Sequence, residues 1–405
     1  MDLADPFDLD HAAATGARAV PQGLDEPPAS PDRPVSDGLA IRQRKERKKR
    51  KQDKLLAQLE RKRQKADHVQ SVFQVQRQLI TAAPGTPAAG RGYTVSLALA
   101  GSILDNAQSP ELRTYLAGQV ARALAVFNVD EIVVFEDERP AGPALGAHTT
   151  AGEFHGIGKR GRGQGCVQLG RILQFLECPQ YLRKHFFPIH QDLKYAGVLN
   201  PTDMPHHLRA SENSSFREGV VLDRPPTKNG SLVNVGLSQE VVIDKTLKPG
   251  IRVTVHLVDA QRTTHDRTLV GKVVSPSFPR THAGLYWGYN VRLAQSLTEV
   301  FQGGPYKGGY DLTIGTSERG DSVDEFAFAQ PFKHLLIVLG GVKGLEVAVD
   351  TDKKIQSHDP ATLFDHYLNT CPLQGSRTIR TEEALLITLA SLRPKIVSVQ
   401  AKCTL

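Results

Sequence analysis

The sequence predicts an α/β protein whose parallel sheet is interrupted by a small inserted β-barrel. Three observations lead to this fold class. A strand, a helix and a second strand follow one another between Tyr93 and Phe135, which is the pattern of a βαβ unit. Short alternating segments then fill residues 199–285, and strand-then-turn segments return from Tyr310 onwards. We therefore expect an α/β domain in two parts, residues 93–198 and 286–405, around the insertion.

The first part begins with the segment YTVSLALAG, in which Val95, Leu97 and Leu99 alternate on one strand face. A helix starts next, because Ser109 can cap its first turn and Pro110 suits the first helical position. The apolar run EIVVF provides the second strand. A polar, glycine-rich loop follows, and then two short helical patterns at residues 169–176 and 180–187.

The insertion and the second part of the α/β domain differ in the spacing of their apolar residues. FREGVVLD, EVVID and GKVVS alternate like strands, and Pro, Gly and Asn separate them. Five or so short strands favour a small barrel or sandwich, and an OB-like barrel is our first choice. After it, YDLTIG and HLLIVLGG predict buried strands. A last helix is expected to open at Glu382 and Glu383 and to end at Pro394.

The residues before the α/β domain carry the unusual charge. Residues 1–40 hold eight acids and two bases and predict a disordered acidic tail. Residues 41–67 predict a basic helical arm, since residues 42–65 have a net charge of +10. Residues 68–92 are the linker. Such a charge cluster indicates a polyanion partner. The arm is interpreted either as RNA-binding or as a solvated basic helix or nuclear-import signal, and these interpretations are compatible.

Several classes of protein are disfavoured. The apolar runs are far shorter than the ~20 residues of a membrane helix. Four scattered cysteines suggest neither a disulfide framework nor a metal site, so we expect a soluble, reduced, intracellular protein without a metal. GIGKRG at residues 156–161 matches GxGxxG, but it follows no strand and is interpreted as a basic loop. His206 and His207 lack further ligands at metal spacing, and Cys371 lacks a base placed by sequence.

Three polar segments predict a small-molecule site. GTSERG at residues 315–320 and GGVKGLE at residues 340–346 each follow a predicted strand, and NTCPLQGSRTIRTEE at residues 369–383 leads into the last helix. Ligands of open α/β sheets bind at the carboxyl ends of strands. Glycines there let the backbone approach a ligand closely. Each segment alone would be a turn before a helix, and three of them together favour a site.

These same segments resemble the C-terminal signature of the SPOUT-class, trefoil-knot RNA methyltransferases, in the subgroup with an OB-like insertion. The resemblance extends to SLALAGSILDNAQSPELRTYLAGQVARALAVFNVDEIVVFED, ECPQYLRKHFFPIHQDLKYAGVLNP and PRTHAGLYWGYNVRLA, and covers residues 93–395. It implies a knotted α/β domain, S-adenosylmethionine as cofactor and a homodimer. The residues that it places at the cofactor are Arg319, Gly340, Gly341, Gly344, Asn369, Thr370, Ser376 and Arg377.

The resemblance also implies a reaction, the formation of N3-methyluridine in large-subunit ribosomal RNA. Arg319 is the candidate catalytic residue, either stabilising charge on the base or holding the cofactor carboxylate, and no catalytic base is assigned. The alternative is a non-catalytic RNA-binding scaffold of the same fold, associated with the mitotic spindle or centrosome. The intact glycines in the three segments favour the enzyme. The expected location is the nucleus, nucleolus or cytoplasm, with a spindle or centrosome association by resemblance.

Overall fold

The computed structural model of the 405-residue chain describes residues 90–138, 164–227, 230–257 and 269–401. The predicted acidic tail, the basic arm, the linker up to residue 89 and the GIGKRG loop lie outside the described residues. The coarse fold prediction is confirmed, because the structure contains a six-stranded parallel sheet and a closed five-stranded barrel.

The α/β domain contributes helices on both faces of its sheet. Its first part comprises β1 (Thr94–Ala100), α1 (Pro110–Val126), β2 (Glu131–Phe135), α2 (Gln164–Glu177) and α3 (Arg183–Phe186). Its second part comprises α4 (Phe278–Ala283), β8 (Asn290–Ala294), α5 (Leu297–Gln302), β9 (Leu312–Ser322), β10 (His334–Leu339), α6 (Glu346–Thr351), β11 (His366–Asn369) and α7 (Thr381–Ala401). Short 3-10 turns occur at Gly101–Asn106, Gln191–Leu193, Ala196–Val198 and Pro360–Leu363.

All six strands of the sheet run parallel, in the order β11-β9-β10-β1-β2-β8. β1 and β10 lie at the centre and are buried on both faces, as their nearly continuous apolar sequences require. On one face Leu97 and Leu99 belong to the main core, which includes apolar side chains of α1, α2 and α7. On the other face Ala98 and Ala100 pack in a second cluster with residues of α5 and α6.

Local sequence signals explain the start of α1. The Ser109 side chain accepts a hydrogen bond from the Leu112 amide at 3.2 Å, and Pro110 occupies the first helical position. One of the free amides at the helix start is thereby satisfied, as the sequence predicts. α2 is longer than its predicted core, because it begins at Gln164 rather than near Leu169.

The prediction that the last helix ends at Pro394 is wrong. α7 continues to Ala401, with Pro394 inside it. Proline removes one backbone hydrogen bond, but Ile396 and Val399 beyond it are buried in the main core. The Lys395 ammonium and the Gln400 amide also donate hydrogen bonds to backbone carbonyls of residues 326 and 332, both at 2.8 Å. Tertiary packing therefore carries the helix past the proline.

α7 also bears on the membrane question. Among the described residues it is the one helix whose length and apolar composition would allow it to cross a membrane. Leu385, Leu389 and Leu392 of this helix are buried in the main core against the sheet. A buried core helix has the same composition as a spanning one, so we interpret α7 as part of the core.

The inserted barrel is formed by β3 (Phe216–Val221), β4 (Leu232–Asn234), β5 (Val241–Ile243), β6 (Arg252–Leu257) and β7 (Leu269–Val274). It closes in the order β3-β4-β5-β7-β6, with β5 and β7 parallel and the other pairs antiparallel. Alternate residues such as Val233, Val253 and Val255 fill its interior. The outer face of β3 and β6 is not solvated, because it packs on the α/β domain.

A buried ionic network joins the barrel to that domain. The Arg252 guanidinium of β6 donates to both oxygens of Glu177 at 2.6 and 2.9 Å, and to Glu218 at 2.7 Å. The Trp287 indole N–H donates to Glu218 at 2.6 Å, and His206 Nε2 lies 3.0 Å from Glu177. Glu177 ends α2 and Glu218 lies on β3, so the network crosses the boundary between the two parts of the fold.

The network fixes the charge of Glu177. Burial alone would raise the pKa of this carboxyl group, but the Arg252 and His206 side chains outweigh burial and hold the pKa well below its usual value. A depressed pKa means that this stabilisation is present above the ordinary pKa of a glutamate, and is lost as the pH falls towards the folded-state pKa.

We expect the substitution Arg252→Ala to lower the free energy of unfolding by about 3–5 kcal/mol at pH 7, because two buried carboxylates would lose their counter-charge. The loss should shrink as the pH falls, because burial favours protonation of a Glu177 that has lost its arginine partner. Urea unfolding at several pH values measures both effects. The control is Arg224→Ala, which breaks an exposed barrel ion pair with Glu240 and should cost ~1 kcal/mol or less. Equal losses in the two variants would contradict the prediction.

Candidate functional site

The carboxyl ends of the parallel strands meet at one edge of the sheet. The segments that follow β1, β2, β10 and β11 all leave the sheet there, together with a bulge in β9. Side chains from distant parts of the sequence thus converge on one edge. This is the position at which open α/β sheets bind ligands.

The prediction that GTSERG is a turn after its strand needs correction. The segment lies inside β9, which runs on to Ser322. β11 pairs Tyr367 with Gly315, and its next residue, Leu368, pairs with Asp321. Residues 316–320 therefore form a bulge between two paired stretches. A bulge projects its side chains away from the regular ladder, and here it presents Arg319 at the edge of the sheet.

A tight glycine turn follows β10. The Gly344 amide donates to the Gly341 carbonyl at 3.1 Å, and Gly344 has a φ of +78°, a conformation that favours glycine. A Cβ atom on Gly341 would come within 2.5 Å of Asp137 Oδ2 and 2.6 Å of Ser102 Oγ. The turn is therefore packed directly against the segments that follow β1 and β2.

Two carboxyl groups adjacent in sequence follow β2, and the second of them, Asp137, lies beside this turn. The Ser102 hydroxyl donates to Asp137 Oδ2 at 2.5 Å, and burial raises the pKa of Asp137. Burial also raises the pKa of Glu136, with a smaller contribution from the adjacent Asp137. Glu136 Oε1 is buried without a hydrogen-bond partner among the described residues. Raised carboxyl pKa values in a cleft are typical of functional sites.

Sequence reasoning missed Ser102, Glu136 and Asp137 as site residues. The signal was present, because the acids of EIVVFED come directly after a buried strand, where polar groups meet a ligand. The contact of Ser102 and Asp137 with a glycine turn about 200 residues later follows from the parallel sheet, in which β1 lies between β2 and β10.

Arg319 is brought to the glycine turn. Its Nη1 lies 3.4 Å from Oε1 of Glu346, the first residue of α6, directly after the turn. The arginine side chain is 76% exposed, so this ion pair is weak. Arg319 can therefore exchange Glu346 for an anionic group of a ligand at little cost in free energy.

Asn369 and Thr370 join the same edge from β11. The Asn369 side-chain amide donates to the Glu318 carbonyl at 3.0 Å, and its oxygen accepts from the Cys371 amide at 3.0 Å. Thr370 Oγ1 lies 2.9 Å from Thr388 Oγ1 of α7. These bonds fix the end of β11 against the β9 bulge, one residue from Arg319.

Ser376 and Arg377 are placed differently. Both are exposed, and the Ser376 hydroxyl donates to the Thr378 carbonyl at 2.8 Å within its own loop. Within the described ranges, no hydrogen bond or ion pair connects them to the glycine turn. The structure thus brings Arg319, Gly340, Gly341, Gly344, Asn369 and Thr370 together, whereas the role of Ser376 and Arg377 stays a prediction.

The residues at this edge suit a small ligand with both charges. Backbone groups of the glycine turn and the end of β11 can form hydrogen bonds, Arg319 can meet an anion, and the carboxyl groups can face a cation. The ranges that the structure describes contain no group of three His, Cys, Asp or Glu side chains arranged to hold a metal ion.

The fold and this edge define a ligand-binding α/β domain with an inserted barrel. A family model described as "Putative RNA methyltransferase" matches residues 94–392, which include the whole sheet, the barrel and the glycine turn. The chain belongs to this RNA methyltransferase family. The family expected from the sequence is thereby confirmed.

Individual relatives agree with the family. A Homo sapiens protein named 28S rRNA (uridine-N(3))-methyltransferase is 60% identical over 316 residues, which are 78% of this chain and 82% of that protein. A Drosophila melanogaster protein of the same name is 48% identical over 358 residues, 86% of this chain and 70% of the relative. Among solved structures, the SpoU methyltransferase AviRb from Streptomyces viridochromogenes, in complex with AdoMet, is 10% identical with a TM-score of 0.27, covering 77% of this chain and 61% of that chain.

We expect Gly340→Val to abolish binding of S-adenosylmethionine. A Cβ atom at this position would come within 2.5 Å of the Gly344 carbonyl carbon and 2.7 Å of the Leu345 amide, so the glycine turn must open. Calorimetry with the purified cofactor measures the loss. Gly197→Ala is the control, since a Cβ there meets nothing within 4 Å. Unchanged affinity in a folded Gly340→Val protein would contradict the role of the turn.

Proposed function

We propose that this protein transfers a methyl group from S-adenosylmethionine to N3 of a uridine in large-subunit ribosomal RNA. The observation that carries the proposal is the 60% identity, over most of both chains, to a protein named 28S rRNA (uridine-N(3))-methyltransferase. The site residues support it, because the glycine turn, Arg319, Asn369 and Thr370 meet at one edge of the sheet. The scaffold alternative explains neither the intact turn nor the identity.

The residues at the sheet edge fit the cofactor. The tight turn after β10 is built from glycines, so its backbone amides and carbonyls carry no side chains that would keep a ligand away. A cationic ligand beside the turn would favour the charged form of Asp137, and Arg319 suits a carboxylate. When bound, S-adenosylmethionine supplies an electrophilic methyl group. The chain must hold the cofactor, position the base and accept one proton.

The target atom constrains the RNA. N3 of uridine lies on the pairing edge, so the base must be unpaired or flipped out before it can react. Loss of the N3 proton leaves negative charge on the base. Arg319 at the β9 bulge can stabilise that charge electrostatically, or it can hold the cofactor carboxylate. The first role affects turnover with cofactor affinity intact, and the second affects affinity first.

Finer features of the fold belong to the same proposal. We infer a trefoil knot from the resemblance to the SPOUT class. The course of the chain is consistent with a knot, since the chain leaves edge strand β11 and returns as α7 to pack near β10 and α1.

We infer an OB-like barrel from the strand order β3-β4-β5-β7-β6 and the parallel β5–β7 pair. OB-folds commonly bind nucleic acid, and the basic arm of residues 42–65 would add phosphate contacts.

A homodimer completes the proposal. α1 and α7 lie side by side, and each presents large apolar side chains to solvent. These are Leu112, Tyr115 and Val126 of α1, and Leu386 and Val397 of α7, each between 44% and 54% exposed. Tyr115, Val126 and Leu386 line one shallow pocket between the two helices. Apolar surface of this kind favours association, and a second copy of the chain is the partner that the family resemblance implies.

We expect wild-type protein to sediment as a dimer at micromolar concentration and Leu386→Glu to sediment as a monomer, because a carboxylate in the contact would lose its hydration. Analytical ultracentrifugation with the cofactor present measures the mass. Val270→Glu is the control, since Val270 is 53% exposed on barrel strand β7, away from α1 and α7. A monomeric wild type would exclude the proposed dimer.

The test of the function is the product. Purified protein with large-subunit ribosomal RNA and labelled S-adenosylmethionine should form N3-methyluridine, detected by mass spectrometry of the digested RNA. Arg319→Ala should reduce the yield tenfold or more if one charge-stabilising contact of about 1.4 kcal/mol or greater is lost. Measuring turnover and cofactor affinity in this variant separates its two candidate roles. Methyl incorporation on another base, or none on any RNA, would overturn the assignment to uridine N3.

A further inference from the structure

An aromatic stack runs from the barrel to solvent, apart from the glycine turn. Phe216 of β3 stacks on His256 of β6, with ring centroids 4.8 Å apart and planes at 26°. Phe278 of α4 lies 6.4 Å from His256 at 33°, and His282 stacks on Phe278 at 3.8 Å and 10°. We call these four residues the aromatic ladder.

The ladder becomes more exposed along its length. Phe216 is buried and also meets the edge of Trp287 at 6.0 Å, so the inner end is anchored in the interface between the barrel and the α/β domain. His256 and Phe278 are half-buried, and His282 is exposed. Hydrophobic burial explains the inner rings, but it does not require an outer ring stacked in parallel and open to solvent.

The surroundings favour an anionic partner. Lys272 of β7 is exposed and pairs in register with His256, so an ammonium group lies on the strand beside the ladder.

The ladder and the cofactor edge lie at opposite ends of β1. The Arg280 side chain of α4 donates to the Tyr93 carbonyl, just before β1, whereas Ser102 and the glycine turn lie after it. The seven residues of β1 span roughly 20 Å at ~3.3 Å per residue. A ligand on the ladder would therefore be separate from the base that reacts.

We propose that the aromatic ladder binds an unpaired RNA base, which stacks on the exposed ring of His282 beside Lys272. The proposal rests on the RNA substrate proposed above and names a contact surface for it. Aromatic rings accept any base on their faces, and a neighbouring cation contacts the phosphate backbone. The ladder would hold a single-stranded flank of the target while the reacting base occupies the cofactor edge.

The experiment measures binding of a fluorescent single-stranded oligouridine by anisotropy, with full-length protein, across a range of salt concentrations. We expect His282→Ala to weaken binding roughly fivefold or more, since that is the lower end of the effect of removing one stacking ring. The salt dependence should stay the same, because a stacked base releases no counterions. His282→Phe should keep wild-type affinity, because it retains a stacking ring without the imidazole nitrogens.

One control and one further variant complete the experiment. His358→Ala removes another exposed histidine, 92% exposed beside Asp350, and should leave affinity unchanged. Lys272→Gln should weaken binding and flatten the salt dependence. Wild-type affinity in His282→Ala, or failure of His282→Phe to bind, would overturn the ladder. So would a change in sedimentation without a change in RNA affinity, which would assign the surface to a protein contact.

The two proposals fail separately. If the wild-type protein forms N3-methyluridine but His282→Ala leaves the oligouridine affinity unchanged, the proposed function stands and the ladder proposal is rejected. If His282→Ala weakens oligouridine binding but the wild-type protein methylates no RNA, the ladder proposal stands and the proposed reaction is rejected.

Discussion

The Arg252 guanidinium is the interaction on which the two parts of this molecule depend. It lies between Glu177 of the α/β domain and Glu218 of the barrel, and it forms hydrogen bonds to both. Burying three charged groups is unfavourable unless each finds partners in the correct geometry. A directional network of this kind tolerates few relative orientations. The inserted barrel is therefore held at a defined angle, although its strands could close without the sheet.

This docking decides which surfaces remain for ligands. The outer face of β3 and β6 is used to attach the barrel, through Glu218, Arg252 and the Trp287 indole. At the rim of that face the buried rings give way to exposed ones, which is where the aromatic ladder begins. The cofactor edge lies at the opposite end of β1. The strand β1 fixes the distance between the aromatic ladder and the cofactor edge, so one extended ligand could contact both.

The structural features that depend on residues close together in the sequence were predicted from it. The strand of residues 94–100, the cap at Ser109 and the apolar strand before Gly340 are encoded in short patterns, so periodicity was enough. Periodicity failed where contacts between residues far apart in the sequence determine the structure. Pro394 ends an isolated helix, but here buried Ile396 carries the helix onward. The β9 bulge exists because β11 pairs on either side of it, and no local pattern records that pairing.

The site shows the same division. The glycines after β10 and the arginine of GTSERG were found from sequence, since glycine and charge after a strand have local meaning. Asp137 and Ser102 reach the glycine turn through the parallel order of β2, β1 and β10, which only the fold reveals. The spacing of His206 and His207 predicts no metal role, and the place of His206 beside Glu177 in a buried network could not be predicted from the sequence.

The register of the central strands has a consequence for synthesis of the chain. β1 pairs early with β2, but Thr94 also pairs with His334, so β1 waits for 240 further residues before its second neighbouring strand exists. At ~5–20 residues per second, a ribosome needs roughly 12–48 s to make them. During that time both apolar faces of β1 are without their final cover. The barrel strands are contiguous between Phe216 and Val274, so the insertion can fold first. The sheet is thus completed last, although its first strand is made first, whereas the inserted barrel can close while β10 is still missing.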